Sequence, residues 1–174
     1  RGVGIFQSLS DFEHLFYFDP TSFYLIARII FGALLGTATV YGVYRFVKRF
    51  SSVTTALWAS FFLAVNFLHV RDSHYIYVDI PLVLVLLAGF GICLRISEKP
   101  VALHWHLWAG AAIGLATATK YNGVFLLIPY LWICFRSVPW KQWIPAWGWA
   151  GMAAVGVFFA LNPFAVLDHV FFIK

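Results

Sequence analysis

Charged and imidazole side chains that could bind a phosphate or a sugar stand close together in the stretch VRDSHYIYVDIPLVL, residues 70–84. They are Arg71, Asp72, His74 and Asp79, and strongly apolar sequence flanks them on both sides. Arginine offers a planar, permanently charged fork that suits a phosphate. Histidine could donate a hydrogen bond or bind a metal, but one histidine with scattered carboxylates is a weak metal signal. The plain alternative is an exposed loop with an Arg71–Asp72 ion pair, which contributes at most about 1 kcal/mol.

Asp79 stands directly before an apolar run that contains Pro81. Aspartate often caps a helix and favours the positive end of its dipole, and proline is tolerated in the first turn. An ionisable residue at membrane depth also predicts a functional site with a partner. The nearest candidate partners are Arg71, His74 and Lys120, and both interpretations stay open.

A second polar stretch, TATKYNG, places Lys120 beside Tyr121 and Asn122. Lysine at a membrane boundary can simply extend its ammonium to the interface. A compact cation at this place would also suit an anionic lipid head group. Gly123 allows the tight turn that keeps the connection short.

Two further candidates lie elsewhere in the chain. Arg28 lies about six residues into an apolar run, where a charge is most costly. It could extend to the surface. The favoured hypothesis is that it faces the interior of a helix bundle and pairs with a carboxylate or a phosphate, because no neighbour in sequence pairs with it. Asp168, next to His169, could contact the same polar cluster and carries less weight.

The composition predicts the type of fold that positions these residues. The chain is 62% hydrophobic and only 11% charged, whereas soluble domains are about 25% charged. We therefore predict an all-α, polytopic transmembrane helix bundle. By length, the apolar runs form about six segments, near residues 22–44, 52–70, 79–94, 103–119, 124–135 and 143–161. Residues 1–21 would end an outer loop, with a juxtamembrane helix possible, and the bundle would span 22–174.

Basic residues predict the orientation of these segments. They occur in alternate connections, which therefore share one face, and the positive-inside rule makes that face cytoplasmic. These residues are Arg45, Lys48, Arg49, Arg95, Lys99, Arg136 and Lys141. The polar stretches described above would then lie on the extracytoplasmic side, within reach of a substrate that arrives from the lipid. The net charge of +5 is explained by this arrangement and does not indicate nucleic-acid binding.

Some reactive side chains are interpreted as structural. Cys93 and Cys134 lie inside apolar runs without the spacing of metal ligands, so we expect them to pack as small hydrophobes. His104, His106 and nearby tryptophans fall near the cytoplasmic ends, where an interfacial aromatic belt would explain them. The small residues of segment 103–119 would let a neighbouring helix approach closely.

Several stretches, taken in order, resemble a known family. VRDSHYIYVDIPLVLVLLAGF, LWAGAAIGLATATKYNGVFLLIPYL and NPFAVLDHVFF, together with FYLIARIIFGALLGTATVYGVYRFVKRF, resemble the multispanning glycosyltransferases of family 39. These are the relatives of dolichyl-phosphate-mannose protein mannosyltransferases, and they include bacterial members and aminoarabinose transferases. Each stretch alone is modest evidence, so the resemblance rests on their order, their spacing and their common face.

The resemblance implies a GT-C fold. It also implies inverting transfer of a sugar from a polyprenyl-phosphate donor to a protein, lipid or glycan acceptor. The enzyme would be an integral membrane protein, in the cell membrane if prokaryotic, with its active face outside the cytoplasm. The family's acidic catalytic motif would lie upstream of Arg1, so the general base is not expected among these residues. We expect the chain to be a piece of a longer protein that is inactive alone. No metal site is predicted, although a divalent metal is a possible cofactor.

The predicted substrate and phosphate site combines the residue analysis with the resemblance, which matches Arg28, Asp79 and Lys120 to positions around the carrier phosphate. Its members are Arg28, Arg71, His74, Asp79, Lys120, Tyr121 and Asn122, with Asp72 and Asp168 as weaker candidates. Two other classes of protein stay open. One is a polytopic transporter in which buried charges line a pathway. The other is a structural membrane subunit whose outer charges only cap helices.

Overall fold

The computed structural model describes Tyr17 and residues 20–167, and these residues are helical almost throughout. We number the α-helices as α1 Thr21–Ala27, α2 Thr37–Lys48, α3 Val53–Ala64, α4 Phe67–His74, α5 Asp79–Glu98, α6 Leu103–Thr119, α7 Leu127–Ser137, α8 Trp143–Leu161 and α9 Phe164–Leu167. No strand occurs within these ranges. The prediction of an all-α membrane helix bundle is confirmed.

The first long helix consists of α1, a π-helical segment, Arg28–Gly36, and α2. Together they form one continuous helix, Thr21–Lys48. A π-helix closes its hydrogen bonds over five residues instead of four, is rare, and often marks a functional site. Arg28 is the first residue of this unusual segment.

Three helices are long and apolar enough to cross a membrane within the described part of the chain: Thr21–Lys48, Asp79–Glu98 and Trp140–Leu161. A fourth is possible if α3 and α4, which are bent by 54° relative to each other, form one broken span. The other predicted segments are helical but shorter: α6 has 17 residues, and α7 has 11 after the 3-10 helix Tyr121–Leu126. The number of spans stays a prediction.

The break between α3 and α4 differs from the continuous segment 52–70 that the sequence predicts. Asn66 causes the new start, because its side-chain oxygen accepts hydrogen bonds from the backbone N–H groups of Leu68 and His69. Asparagine at this position satisfies amides that would otherwise have no partner. The helix then continues to His74, so the loop predicted for Arg71, Asp72 and His74 is instead helical.

The tightest packing in the bundle joins α6 to α8. Gly110 and Gly114 lie directly against the backbone of α8, where an added Cβ would come within 2.0 Å of the Ala150 carbonyl oxygen and 2.3 Å of that of Ala154. Only a residue without a Cβ permits contact this close. Small residues commonly allow membrane helices to approach each other in this way. The predicted close approach of a neighbour to this helix is therefore confirmed.

His106, which the sequence analysis assigns to an interfacial aromatic belt, instead belongs to a buried hydrogen-bond network. His106 is only 2% exposed. Its Nε2 lies 2.9 Å from the Pro100 carbonyl oxygen, and its Nδ1 lies 3.1 Å from the Tyr130 hydroxyl oxygen. The Tyr130 hydroxyl donates its proton to the Ala146 carbonyl at 3.1 Å. The interfacial prediction for His106 is wrong, because its ring nitrogens find partners inside the bundle and need no water.

Candidate functional site

An ion pair joins the two predicted polar stretches. The Lys120 ammonium donates to Asp79 Oδ1 at 2.7 Å. Their side chains are 42% and 40% exposed, so the pair is open to a ligand on one side. Asp79 is the first residue of α5, and Lys120 follows the last residue of α6. Of the three candidate partners for Asp79, the structure selects Lys120.

Gly123 fixes the place of Lys120. After α6 the backbone of Lys120 is extended, with φ −157° and ψ 134°, and the chain then turns into the 3-10 helix Tyr121–Leu126. The Gly123 N–H closes this turn by donating to the Lys120 carbonyl at 2.7 Å. Gly123 is buried so closely against α6 that an added Cβ would lie 2.2 Å from the carbonyl carbon and oxygen of Ala116. The predicted tight turn is present, and it also requires a close approach of backbone to backbone.

The capping role predicted for Asp79 is wrong. Val78 occupies the N-cap position of α5, and no side chain makes a capping hydrogen bond there. Asp79 lies in the first turn with its carboxylate on Lys120, where the positive end of the helix dipole still favours its charge. Its carboxylate is therefore directed to another helix instead of to its own backbone.

Arg71 and Asp72 form a second ion pair, on α4. Arg71 Nε donates to Asp72 Oδ1 at 2.8 Å, and a second guanidinium nitrogen lies 2.7 Å from the same oxygen. The Arg71 guanidinium also lies near the rings of Phe67 and Tyr77, 5.9 and 6.0 Å from their centroids. The Arg71 side chain nevertheless stays 42% exposed.

Arg28 and His74 line a common cavity of about 310 Å³. A second cavity, of about 360 Å³, adjoins it and shares Gly32 and Ser73 among its walls. Among the described residues, Arg28 makes no ion pair. The structure therefore brings Arg28 and His74 together as predicted members of one site but provides no carboxylate for Arg28 in the part it describes.

Ser73 is a polar residue of this region that the sequence analysis missed. Its Oγ is buried and has no hydrogen-bond partner among the residues that the structure describes. It faces the π-helical segment, where an added Cβ on Gly36 would lie 2.8 Å from the Oγ, and one on Gly32 would lie 3.0 Å from the Ser73 carbonyl oxygen. The spacing of these two glycines along one face is the sequence signal that could have indicated a close neighbour.

The remaining predicted members are less informative. Tyr121 and Asn122 are exposed beside Lys120 at the start of the 3-10 helix. Asp168 lies outside the described residues. In the described part of the chain, no group of three or more His, Cys, Asp or Glu side chains could hold a metal ion.

The two ends of α5 differ in charge. Asp79 and Lys120 meet at its first turn, whereas Glu98 at its last turn pairs with Arg49 and Arg95. A helix of 20 residues is about 30 Å long, close to the hydrocarbon thickness of a bilayer. The arrangement can therefore place one charged cluster at each membrane surface. At the Asp79 end, an ammonium held by a carboxylate could bind a phosphate.

Comparison with known proteins identifies the family of the chain. The model of the family described as dolichyl-phosphate-mannose-protein mannosyltransferase matches residues 6–174. The chain belongs to this family. The resemblance noted from its sequence motifs is thereby confirmed, and no solved structure matches the chain.

Similar proteins occur in a bacterium and in yeast. YycA of Bacillus subtilis (strain 168), provisionally named a mannosyltransferase, is 32% identical over 143 residues, covering 68% of this chain and 21% of YycA. Dolichyl-phosphate-mannose–protein mannosyltransferase 1 of Saccharomyces cerevisiae is 30% identical over 148 residues, covering 81% of this chain and 17% of the yeast protein. The yeast enzyme numbered 4 is 30% identical over 108 residues, which cover 57% of this chain and 14% of that enzyme. The chain thus spans about a fifth or less of the length of these relatives.

Proposed function

We propose that the protein containing this chain is a membrane glycosyltransferase that moves a sugar from a polyprenyl-phosphate donor to an acceptor on the extracytoplasmic side. For the donor, the names of the yeast relatives favour a mannosyl phosphate carried by a long polyprenyl chain. The same names favour a protein acceptor. The observation that carries the proposal is the Asp79–Lys120 ion pair at the end of α5 opposite the basic cluster.

Sidedness is supported by the distribution of charge. Arg49, Arg95 and Glu98 lie together at one end of α5, and that end belongs to the connections that are rich in basic residues. The positive-inside rule makes that end cytoplasmic. Asp79 and Lys120 then face the outside, where the phosphate of a lipid-linked donor would lie at the membrane surface.

In the proposed reaction, the acceptor attacks the anomeric carbon of the sugar and the bond from that carbon to the phosphate oxygen breaks. A single displacement of this kind inverts the configuration at the anomeric carbon. Negative charge develops on the departing phosphate, and Lys120 would stabilise it. Asp79 would hold the ammonium in place, while Arg28 and Arg71 could bind the phosphate or sugar of the donor. A general base would take the proton of the acceptor, and no described residue is assigned to that role.

Replacement of Lys120 in the full-length protein tests this proposal. We expect Lys120→Ala to reduce sugar transfer from a polyprenyl-phosphate mannose donor by roughly 100-fold or more, as loss of one preorganised donor does at other sites of developing charge. Lys120→Arg should retain part of the activity, because a cation stays at the same place. Lys99→Ala, at the other end of α5, is the matched control and should transfer at the wild-type rate.

Asp79→Asn separates catalysis from folding. Both side chains of the pair are about two-fifths exposed, so loss of the pair should lower the free energy of unfolding by less than about 1 kcal/mol. Transfer should nevertheless fall, because the ammonium loses the group that orients it. Wild-type transfer by both Lys120→Ala and Asp79→Asn would refute the proposal, and a transporter or structural subunit would show no donor-dependent transfer at all.

A further inference from the structure

A groove at the other end of the bundle lies far from the proposed sugar site. It runs between α2 and α5, has a volume of about 920 Å³, and is lined by both apolar and charged residues. Its rim carries Arg45, Lys48, Arg49 and Arg95 with one carboxylate, Glu98. The rim therefore has a clear excess of positive charge.

The cations of this rim are unequally paired. Glu98 accepts from both Arg49 and Arg95. Among the described residues, neither Arg45 nor Lys48 pairs with a carboxylate; Arg45 reaches the Tyr41 hydroxyl, and Lys48 lies over the Tyr44 ring. Two cations thus stand at the mouth of the groove without a carboxylate partner in the described part of the chain, and an anion between them would replace no ion pair seen there.

Below the rim the groove is apolar and open. Leu84, Leu87 and Ala88 supply its wall from α5. The groove is open at Gly91, where an added Cβ would have no heavy atom within 4 Å. The missing side chain of this glycine leaves that space free. Such a groove can accept an acyl chain, and its charged rim would lie at the level of lipid head groups.

We propose that this groove binds an anionic phospholipid of the cytoplasmic leaflet, with its phosphate between Arg45 and Lys48 and an acyl chain along α5 below. Two features favour a lipid over a free anion: the apolar depth of the groove, and its position at the face that the basic residues predict to be cytoplasmic. Anionic lipids are concentrated in that leaflet, and basic pockets between helices on that side bind their head groups. The occupant would contact the ends of α2 and α5 and hold them together.

The test measures lipid binding to the full-length protein by native mass spectrometry. The two lipids compared are dioleoyl phosphatidylglycerol and dioleoyl phosphatidylcholine. We expect phosphatidylglycerol to bind clearly more tightly than phosphatidylcholine. Each basic residue near an anionic lipid contributes roughly fivefold in affinity, so R45Q/K48Q should bind phosphatidylglycerol about 25-fold more weakly. The control R136Q/K141Q removes two basic residues from the same predicted face but outside the groove, and it should bind as the wild type does.

A steric variant tests the groove without changing charge. Gly91→Leu places a side chain into the open space, and we expect it to weaken binding of phosphatidylglycerol about tenfold or more, because it occupies the path of the acyl chain. Gly148→Leu is the matched control, since a Cβ at Gly148 on α8 also meets nothing within 4 Å but does not line the groove.

Several results would overturn the proposal. One is equal binding of the two lipids, and another is an equal loss in R136Q/K141Q, which would indicate general surface charge. Displacement of the lipid by millimolar inorganic phosphate would show a site for a free anion. Absence of bound lipid in the wild type would show that another part of the protein fills the groove.

Discussion

Substitution of Gly123 by alanine would move Lys120 without changing the chemistry of any charged group. The turn after α6 depends on contact between Gly123 and the backbone of α6, where a Cβ would lie 2.2 Å from the carbonyl carbon and oxygen of Ala116. Ordinary contact between such atoms begins at about 3.5 Å. Gly123→Ala must therefore push the turn away from α6 by roughly 1 Å.

That displacement acts directly on the ion pair. Lys120 is separated from Gly123 by two residues, and its carbonyl accepts the hydrogen bond that closes the turn. A shift of roughly 1 Å would stretch the 2.7 Å contact between Lys120 and Asp79 and misplace the ammonium relative to the phosphate of the proposed donor. Errors of about 1 Å in positioning can reduce the rate roughly 100-fold. We therefore expect Gly123→Ala to lower kcat for sugar transfer by about that factor.

The assay is transfer of radiolabelled mannose from a polyprenyl-phosphate donor by the full-length protein in detergent or liposomes, with thermal unfolding followed in parallel. Gly156→Ala is the matched control, because its Cβ would meet nothing within 4 Å. Alanine is also the better helix former there. The control should keep both its activity and its melting temperature.

Wild-type transfer by Gly123→Ala would refute the reasoning, because Lys120 would then tolerate displacement. An equal loss of activity in Gly156→Ala would also contradict it, since that variant leaves the turn untouched. A variant that folds, binds its donor and yet transfers slowly is the expected outcome.

Three further substitutions test the fold that holds the site. Tyr130→Phe should lower the free energy of unfolding by about 1–3 kcal/mol, measured by thermal unfolding in detergent, because two buried polar partners lose the hydroxyl. Asn66→Ala should destabilise the start of α4 by about 1 kcal/mol, seen as faster hydrogen exchange of the two amides it caps, and Asn66→Asp should restore protection. Gly114→Leu should separate α6 from α8 and lower the melting temperature, whereas Gly151→Leu, at an open position, should not.

Much of the fold could be predicted from the sequence because apolar length determines where membrane helices form. The predicted segments 103–119 and 143–161 coincide with α6 and α8. The break at Asn66 could not be predicted from hydropathy, because residues on both sides of it are apolar and a single side chain decides where the second helix begins. The π-helical hydrogen bonding of Arg28–Gly36 could not be predicted either, because the composition of this segment is that of any apolar helix.

The candidate site was predicted in part. Residue type and the shared outer face indicated that Asp79 and Lys120 could meet, but the choice of Lys120 over Arg71 as the partner required three-dimensional packing. His106 was misplaced because an aromatic belt and a buried hydrogen-bond network have the same local composition. Ser73 was overlooked because its environment is created by glycines some 40 residues earlier in the chain.

The contact of backbone with backbone between α6 and α8 has a consequence for motion. Side chains can change rotamer when helices slide, but two backbones in direct contact at Gly110 and Gly114 cannot pass each other without separating. We therefore expect the slowest amide exchange in these two helices, and faster exchange at the bend between α3 and α4. If the proposed donor, with its long hydrocarbon tail, enters between helices, the bend between α3 and α4 can move, while α6, which ends directly before Lys120, keeps its position relative to α8.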